Sequence, residues 1–473
     1  MKLIYIYFAL ILSIPQHIML GQTLDDAKAL YLDGRYSEAL PILRNEFKEN
    51  PSDASLNQWL GMSLFKTGMI MEAEQYLKFA SDKKIPEAYL ALGELYTKLY
   101  RFDEADSEFE KYQRANRRNE EALERLGEAR LYSDRIQRSI NRTEDIQIID
   151  SIILPKSEFL SAYNLSQSSG SILPLNEFFD DQYISDKSLY ISEREDKVYY
   201  SREAEDNNSN LYTMDKLIES FGNEKVLPDN INYGGSQAYP FVMSDGLTIY
   251  FASTGHDSFG GYDIFVTRYN LNSDSYLTPN QMNMPFNSPF NDYMMVIDEE
   301  KGVGWFTSDR YQPHDSVTVY TFIPNAQVTL IESEEPTYMA NRAKIHSIAD
   351  TWIDNTDYDH LRMLANQKTL AAEETDGDFE FIINDKTTYY TITDFRNGNA
   401  RSVFNQVIEM EQQLQDINKD LADKRSQYSM DSSVNSTQRL NIIELEKQSN
   451  ILYNDIKRLK IQARNEEIRS LNN

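Results

Sequence analysis

Cysteine is absent from the 473 residues. That removes disulfides, thiol nucleophiles and cysteine-ligated zinc in one step, together with the thiol that would carry a bacterial lipid anchor. Positive charge is scarce: 47 Lys and Arg against 75 Asp and Glu leave a formal charge of −28. Phosphate neutralisation needs clustered cations, so nucleic acid is excluded as a partner. After the first dozen residues no apolar run is long enough to span a bilayer. There is no Gly-x-x-x-x-Gly-Lys phosphate loop and no Gly-x-Ser-x-Gly elbow, so neither a nucleotide site nor a serine nucleophile is framed.

Aromatic residues are abundant by contrast. They make up 12% of the chain, with 31 Tyr, a composition that favours strands over disorder. At 473 residues several domains are expected. Residues 1–21 begin with Lys2, continue through an apolar run from Leu3 to Leu12 and turn polar at Pro15, Gln16 and His17. This is the layout of a cleavable export leader. The expected location is therefore the periplasm, with no membrane span once the leader is removed.

Residues 23–140 repeat. Gly34 and Gly68 are 34 residues apart, as are Ala39 and Ala73; Gly61 to Gly93 and Ala73 to Ala105 are 32 apart. Small residues at fixed spacing let paired helices approach closely, while Leu, Tyr and Phe fill the groove between them. Spacing and residue types resemble the tetratricopeptide repeat, with a last helix near residues 124–139 capping the array. The resemblance implies a surface for protein partners; a brace for the next domain is the plainer alternative.

From Ile146 the apolar period changes from helical to alternating. Three units align: LYISEREDKVYYSR, YPFVMSDGLTIYFAST and YMMVIDEEKGVGWFTSDR, each followed by a polar loop and a further strand. Tyr200, Phe251 and Phe306 occupy equivalent places, 51 and 55 residues apart. Ser244-Asp245-Gly246 followed by Thr248 to Phe251 resembles the WD40-like repeat of TolB-type β-propellers. The resemblance implies a propeller over residues 145–398, with a mostly helical insertion near 340–370 and a further strand pair in GDFEFIINDKTTYYTITDF.

The loop GHDSFGGYD, residues 255–263, invites a functional reading. It sits where RYQPHD and EDNNSN sit in the sister units, and such dissimilar fillings argue for a connection, with Gly260 and Gly261 supplying left-handed backbone freedom. The chemical alternative is a divalent-metal site built from His256, Asp257, His314 and Asp315 if adjacent loops converged. Of the remaining histidines His17 falls in the leader, which leaves His346 and His360, and no cofactor is expected.

Residues 400–473 carry heptads: Val403, Val407, Met410, Leu414, Ile417 and Leu421, then Ile442, Leu445, Leu452, Ile456, Leu459 and Ala463. Two such helices joined by a polar break predict an antiparallel hairpin, either docked on its own chain or self-associating. Repeats followed by such a propeller, with the phrase GGYDIFVTR, resemble envelope proteins of Bacteroidota, including a type IX secretion subunit that ends in an OmpA-like domain. No OmpA-like segment is expected within these residues, which close on the coiled coil instead. The expected class is a multidomain α + β protein acting as a non-enzymatic exported scaffold at the outer-membrane side of the periplasm. The rival class is a small-molecule or glycan-binding or hydrolysing propeller, with Tyr200, Phe251 and Phe306 as a sugar-stacking face.

Overall fold

The computed structural model describes residues 23–179, 187–204, 208–217, 220–367, 379, 381–384, 387–430 and 436–471. The leader expected at residues 1–21 lies outside them.

Seven helices open the described chain: α1 (Leu24–Leu32), α2 (Tyr36–Glu49), α3 (Ala54–Lys66), α4 (Ile70–Asp82), α5 (Pro86–Lys98), α6 (Phe102–Ala115) and α7 (Glu120–Ile140). Thr23 and Asp26 form a capping box on α1, and Asp53 and Asn119 cap α3 and α7 through their side chains, satisfying amide donors that a helix start leaves free. The small residues do what their spacing predicts. A Cβ at Gly61 would lie 2.8 Å from Leu77, and one at Gly93 would lie 2.2 Å from Phe109. Helix pairs α3/α4 and α5/α6 therefore meet at van der Waals distance, over a core of Leu60, Leu64, Leu77, Leu92, Phe109 and Tyr112.

Three antiparallel sheets follow. The first has the order β2 (Ser171–Pro174), β3 (Ser188–Ile191), β4 (Lys197–Glu203), β5 (Ser209–Lys216) and β6 (Phe221–Val226), with the short helix α8 (Leu175–Phe178) beside it. In the second, β7 (Gln237–Val242), β8 (Thr248–Ser253), β9 (Asp263–Asn270) and β10 (Ser275–Tyr276) lie side by side, and β11 (Asn280–Gln281) also pairs with β9. The third runs β12 (Asp292–Asp298), β13 (Val303–Ser308), β14 (Ser316–Ile323), and its fourth strand is β1 (Gln147–Pro155), the first of the region. None of these sheets closes on itself. What stands is a β-rich central region of three open sheets around one core, where the rings of Phe159, Tyr163, Tyr239, Tyr293 and Trp305 interlock.

The equivalence of the three units is visible in their registers. Tyr200 faces Tyr212, Phe251 faces Phe265 and Phe306 faces Tyr320 across neighbouring strands. Each pair is stacked, with ring planes 24°, 26° and 23° apart. One aromatic cross-strand pair thus recurs at the same place in every sheet, where such pairs contribute most to sheet stability.

Beyond β14 the chain forms α9 (Pro336–Lys344), which lies against α7, and then a 3-10 turn at Ile348–Thr351 and α10 (Asp359–Asn366), which lie against β1. The strand pair β15 (Phe381–Asn384) and β16 (Thr387–Tyr389) forms a two-stranded sheet of its own rather than extending the central sheets. The physical reason is its apolar side: Phe381, Ile383 and Tyr389 are buried with Phe395, Phe404, Ile456 and Ala463 of the terminal hairpin. That hairpin consists of α11 (Gly398–Met430) and α12 (Ser436–Leu471). Glu411 pairs with Lys460 at 2.7 Å and Asn418 with Ser449 at 2.9 Å, so the helices run antiparallel. Arg194 of the first sheet donates to Ser449 at 2.8 Å and its guanidinium lies 5.3 Å over Tyr453, which docks the hairpin on its own chain.

Candidate functional site

The loop from Gly255 to Asp263 lies in the seam between the helical array and the sheets. Asp263, the first residue of β9, is fully buried and accepts from the amides of Phe259 at 2.8 Å and Gly260 at 3.2 Å and from Gln281 at 2.5 Å. The outer side of the loop faces α7. Tyr132 donates to the Phe259 carbonyl and Arg135 to that of Ser258, both at 2.7 Å, and the Arg135 guanidinium lies 5.0 Å over the Phe259 ring.

A second loop, MPFNSPFND, enters the seam from between the second and third sheets. Asn287 holds it to β9 through the Ile264 amide at 2.6 Å and the Ile264 carbonyl at 2.8 Å. Lys98, at the end of α5, donates to the Pro289 carbonyl at 2.5 Å, and Phe290 packs on the core of the array. Burial pushes the Lys98 ammonium down from its ordinary value. Tyr100, Ile136 and Ile140 of the array are buried with Met284 and Met339 in the same seam.

The glycine pair has a different purpose from the one its sequence suggests. Left-handed backbone falls on His256 and Asp257, at φ of 54° and 60°, and not on Gly260 or Gly261. A Cβ at Gly260 would lie 1.7 Å from the Phe290 carbonyl oxygen. Glycine is required there because two backbones touch, which no side chain permits.

His256 is half-buried, with Nε2 2.8 Å from the Ile231 carbonyl and its ring 5.1 Å from Phe265 and 6.0 Å from Phe251. The sister sheets place a cation in the same role. Arg202 lies 4.6 Å over Tyr212, and Arg310 lies 5.8 Å over both Phe306 and Tyr320. His256 therefore belongs to a recurring cap on the stacked pair. His314 is exposed and paired with Asp315 at 3.0 Å. Among the described residues no group of three or more His, Asp or Glu is placed to hold a metal ion. Tyr200, Phe251 and Phe306 are each at most 1% exposed, so they offer no stacking face to a sugar.

Sequence reasoning missed Lys98, Tyr132, Arg135, Phe259, Phe290, Asp263, Asp292 and Arg310. A signal was present for two of them: GGYDIF and FNDYMM both set one Asp directly before an apolar run. Asp292 and Arg310 form a buried pair at 2.7 Å, with side chains 0% and 1% exposed.

Asp263 makes the seam sensitive to pH. Burial, then the neighbouring carboxylate of Asp292, pushes it from an ordinary 3.8 up to about 8. Lys98 and Tyr132 also feel its charge. A raised carboxyl favours the protonated folded state, so its stabilising contribution is complete below about pH 4 and is lost as pH rises through about 8. We expect the melting temperature to fall by several degrees between pH 5 and pH 9. Asp263→Asn, followed by circular dichroism, should remove most of that dependence.

The inner helices of the first two repeats stay clear of the seam. Tyr31, Trp59 and Met62 are half-buried there, with Gln58 donating to the Tyr31 hydroxyl at 2.8 Å and Lys28 5.5 Å over the Trp59 ring. No helix among the described residues is long and apolar enough to cross a membrane.

Comparison with protein-family models finds no match. A curated relative is a TPR repeat-containing protein of Methanocaldococcus jannaschii, 28% identical over 211 residues, which cover 41% of this chain and 37% of that protein. The chain thus spans little more than a third of that relative's length. The helical array and this distant similarity agree with the tetratricopeptide reading of the N-terminal third.

Proposed function

We propose that this chain is a non-enzymatic scaffold that binds protein partners through the first two repeats of its array. The observation that carries this reading is the division of labour along the array. The end of α5 and helix α7 are committed to the chain's own sheets through Lys98, Tyr132 and Arg135, whereas Tyr31, Trp59 and Met62 line inner-helix positions with no such commitment. Stacked helix pairs present a concave binding face and no reactive chemistry, and the name of the curated relative supports a repeat protein. Aromatic side chains partly open to water are the usual anchors of protein recognition.

The three sheets are read as blades of a ring in which β1 on β14 fastens the first strand to the last. The expected leader at residues 1–21 and the likeness to Bacteroidota envelope proteins support a place in the periplasm beside the outer membrane. The glycan-binding rival loses its support with the burial of Tyr200, Phe251 and Phe306.

Cross-linking in intact cells followed by co-purification should return specific proteins. Tyr31→Ala with Trp59→Ala should weaken their capture about tenfold or more while the circular dichroism spectrum stays unchanged. Recovery of the wild-type protein alone would sink the reading.

A further inference from the structure

Each of the three sheets ends outward in an edge strand, and the three edges are protected unequally. An edge strand offers unpaired backbone groups, which proteins blunt with charge, brevity or a covering segment. Strand β6 is blunted by charge: Glu224 pairs with Arg202 at 2.8 Å and Lys225 with Asp215 at 3.4 Å. Strand β10 is two residues long. Strand β1 is nine residues long, and among the described residues only its first half is covered. There Thr351 accepts from the Ile148 amide at 2.8 Å, Trp352 donates to the Ile148 carbonyl at 2.8 Å, and Arg362 donates to the Ile149 carbonyl at 2.8 Å.

Among the described residues nothing gives the second half such a cover. Ile152 and Ile153 are 51% and 61% exposed, and beside the covered half Trp352 and Ile353 are 41% and 58% exposed. Two consecutive strand residues point to opposite faces, so both faces of this edge are apolar and open. The rim at the covered end is acidic: Asp350, Asp354, Asp357 and Asp359 are exposed in the covering segment, and Asp150 stands at the start of the bare stretch, its carboxylate 2.8 Å from the Ser151 amide. Arg362 lies in the same rim, but its guanidinium is committed to Ile149, Asp359 and the Trp352 ring.

We propose that the bare half of β1 is a docking edge for an extended, basic segment of a protein partner, which adds to the third sheet as a further strand. The edge supplies main-chain hydrogen bonds, Ile152 and Ile153 supply apolar contact on either face, and the carboxylates select Lys or Arg in the incoming strand. A second copy of this chain is disfavoured as the occupant, because each copy carries a charge of −28. This surface is separate from the inner face of the array, so its failure and that of the array reading are distinguishable.

The test uses the full chain and a fluorescein-labelled peptide of alternating valine and lysine, read by anisotropy. Two control peptides are used: one with a central valine replaced by proline, and one with glutamate in place of lysine. The valine–lysine peptide should bind, and binding should weaken with added salt. Ile153→Lys, at an exposed position that leaves folding intact, should weaken it about tenfold or more, and Asp354→Asn with Asp357→Asn should reduce the salt dependence. Equal binding to the Ile153→Lys protein, or to the proline-containing peptide, would overturn the proposal in favour of unspecific charge attraction. Absence of binding overturns it as well, as does a concentration-dependent dimer abolished by Ile153→Lys, which would make a second copy the occupant.

Discussion

Gly260→Ala is expected to destabilise the protein by about 3 kcal/mol or more, beyond the usual cost of overpacking. The added methyl would fall 1.7 Å from the Phe290 carbonyl oxygen and 2.5 Å from its carbon. These are backbone atoms, so no rotamer change relieves the clash. The two loops must separate, and each is anchored: one by Asp263 and α7, the other by Asn287 and Lys98. The measurement is chemical denaturation of Gly260→Ala beside a His256→Ala, Asp257→Ala double variant. The double variant should fold and keep its partners, because Asp257 is exposed and the half-buried His256 ring caps one aromatic pair and meets a single carbonyl, that of Ile231. A Gly260→Ala protein of wild-type stability would refute the contact.

Arg310→Met is the second large effect. Its guanidinium serves Asp292 at 2.7 Å, Ser308 at 2.8 Å and the Phe286 carbonyl at 3.3 Å, all out of contact with water. Removal strands a buried carboxylate beside Asp263, and loss of one partner of a buried pair costs about 3–5 kcal/mol. Asp292→Asn in the same protein should recover part of the loss, since the stranded charge is then gone. The double-mutant cycle, read from denaturation midpoints, isolates the coupling. Additive losses would mean that the pair is not energetically linked.

The repeats were legible because their periods are written in residue types that packing dictates. Gly61 and Gly93 mark contacts with Leu77 and Phe109, and the spacing of Tyr200, Phe251 and Phe306 marks the recurring stacked pair. The heptads after Ala400 likewise mark a hairpin, because an apolar seam at alternating steps of three and four has few other uses. The seam was not legible. Lys98 and Pro289 are 191 residues apart, and no local pattern announces that a helix end will meet a loop in another domain. The glycine pair was read correctly as structural but for the wrong cause, since sequence shows that a side chain is missing without showing what occupies its space. His256 invited a metal because histidine next to aspartate has that chemistry, yet its ring is claimed by Phe251 and Phe265 from two strands and by the Ile231 carbonyl from a distant loop.

Pairing of β1 with β14 bears on how the chain is made. Ile148 lies opposite Phe322, so the strand that leaves the array has no sheet to join until the chain has been extended by more than a third of its length. The array is complete by Ile140 and rests on contacts between neighbouring helices, which form early and quickly. During synthesis from the N-terminus, a finished helical unit therefore waits with an apolar strand trailing from it, Ile148-Ile149 and then Ile152-Ile153. Domains fold as units in the order they emerge, and unpaired strands are the exposed species along the way. A chain that stops before Ser316 would retain its array and lose its first strand along with its last.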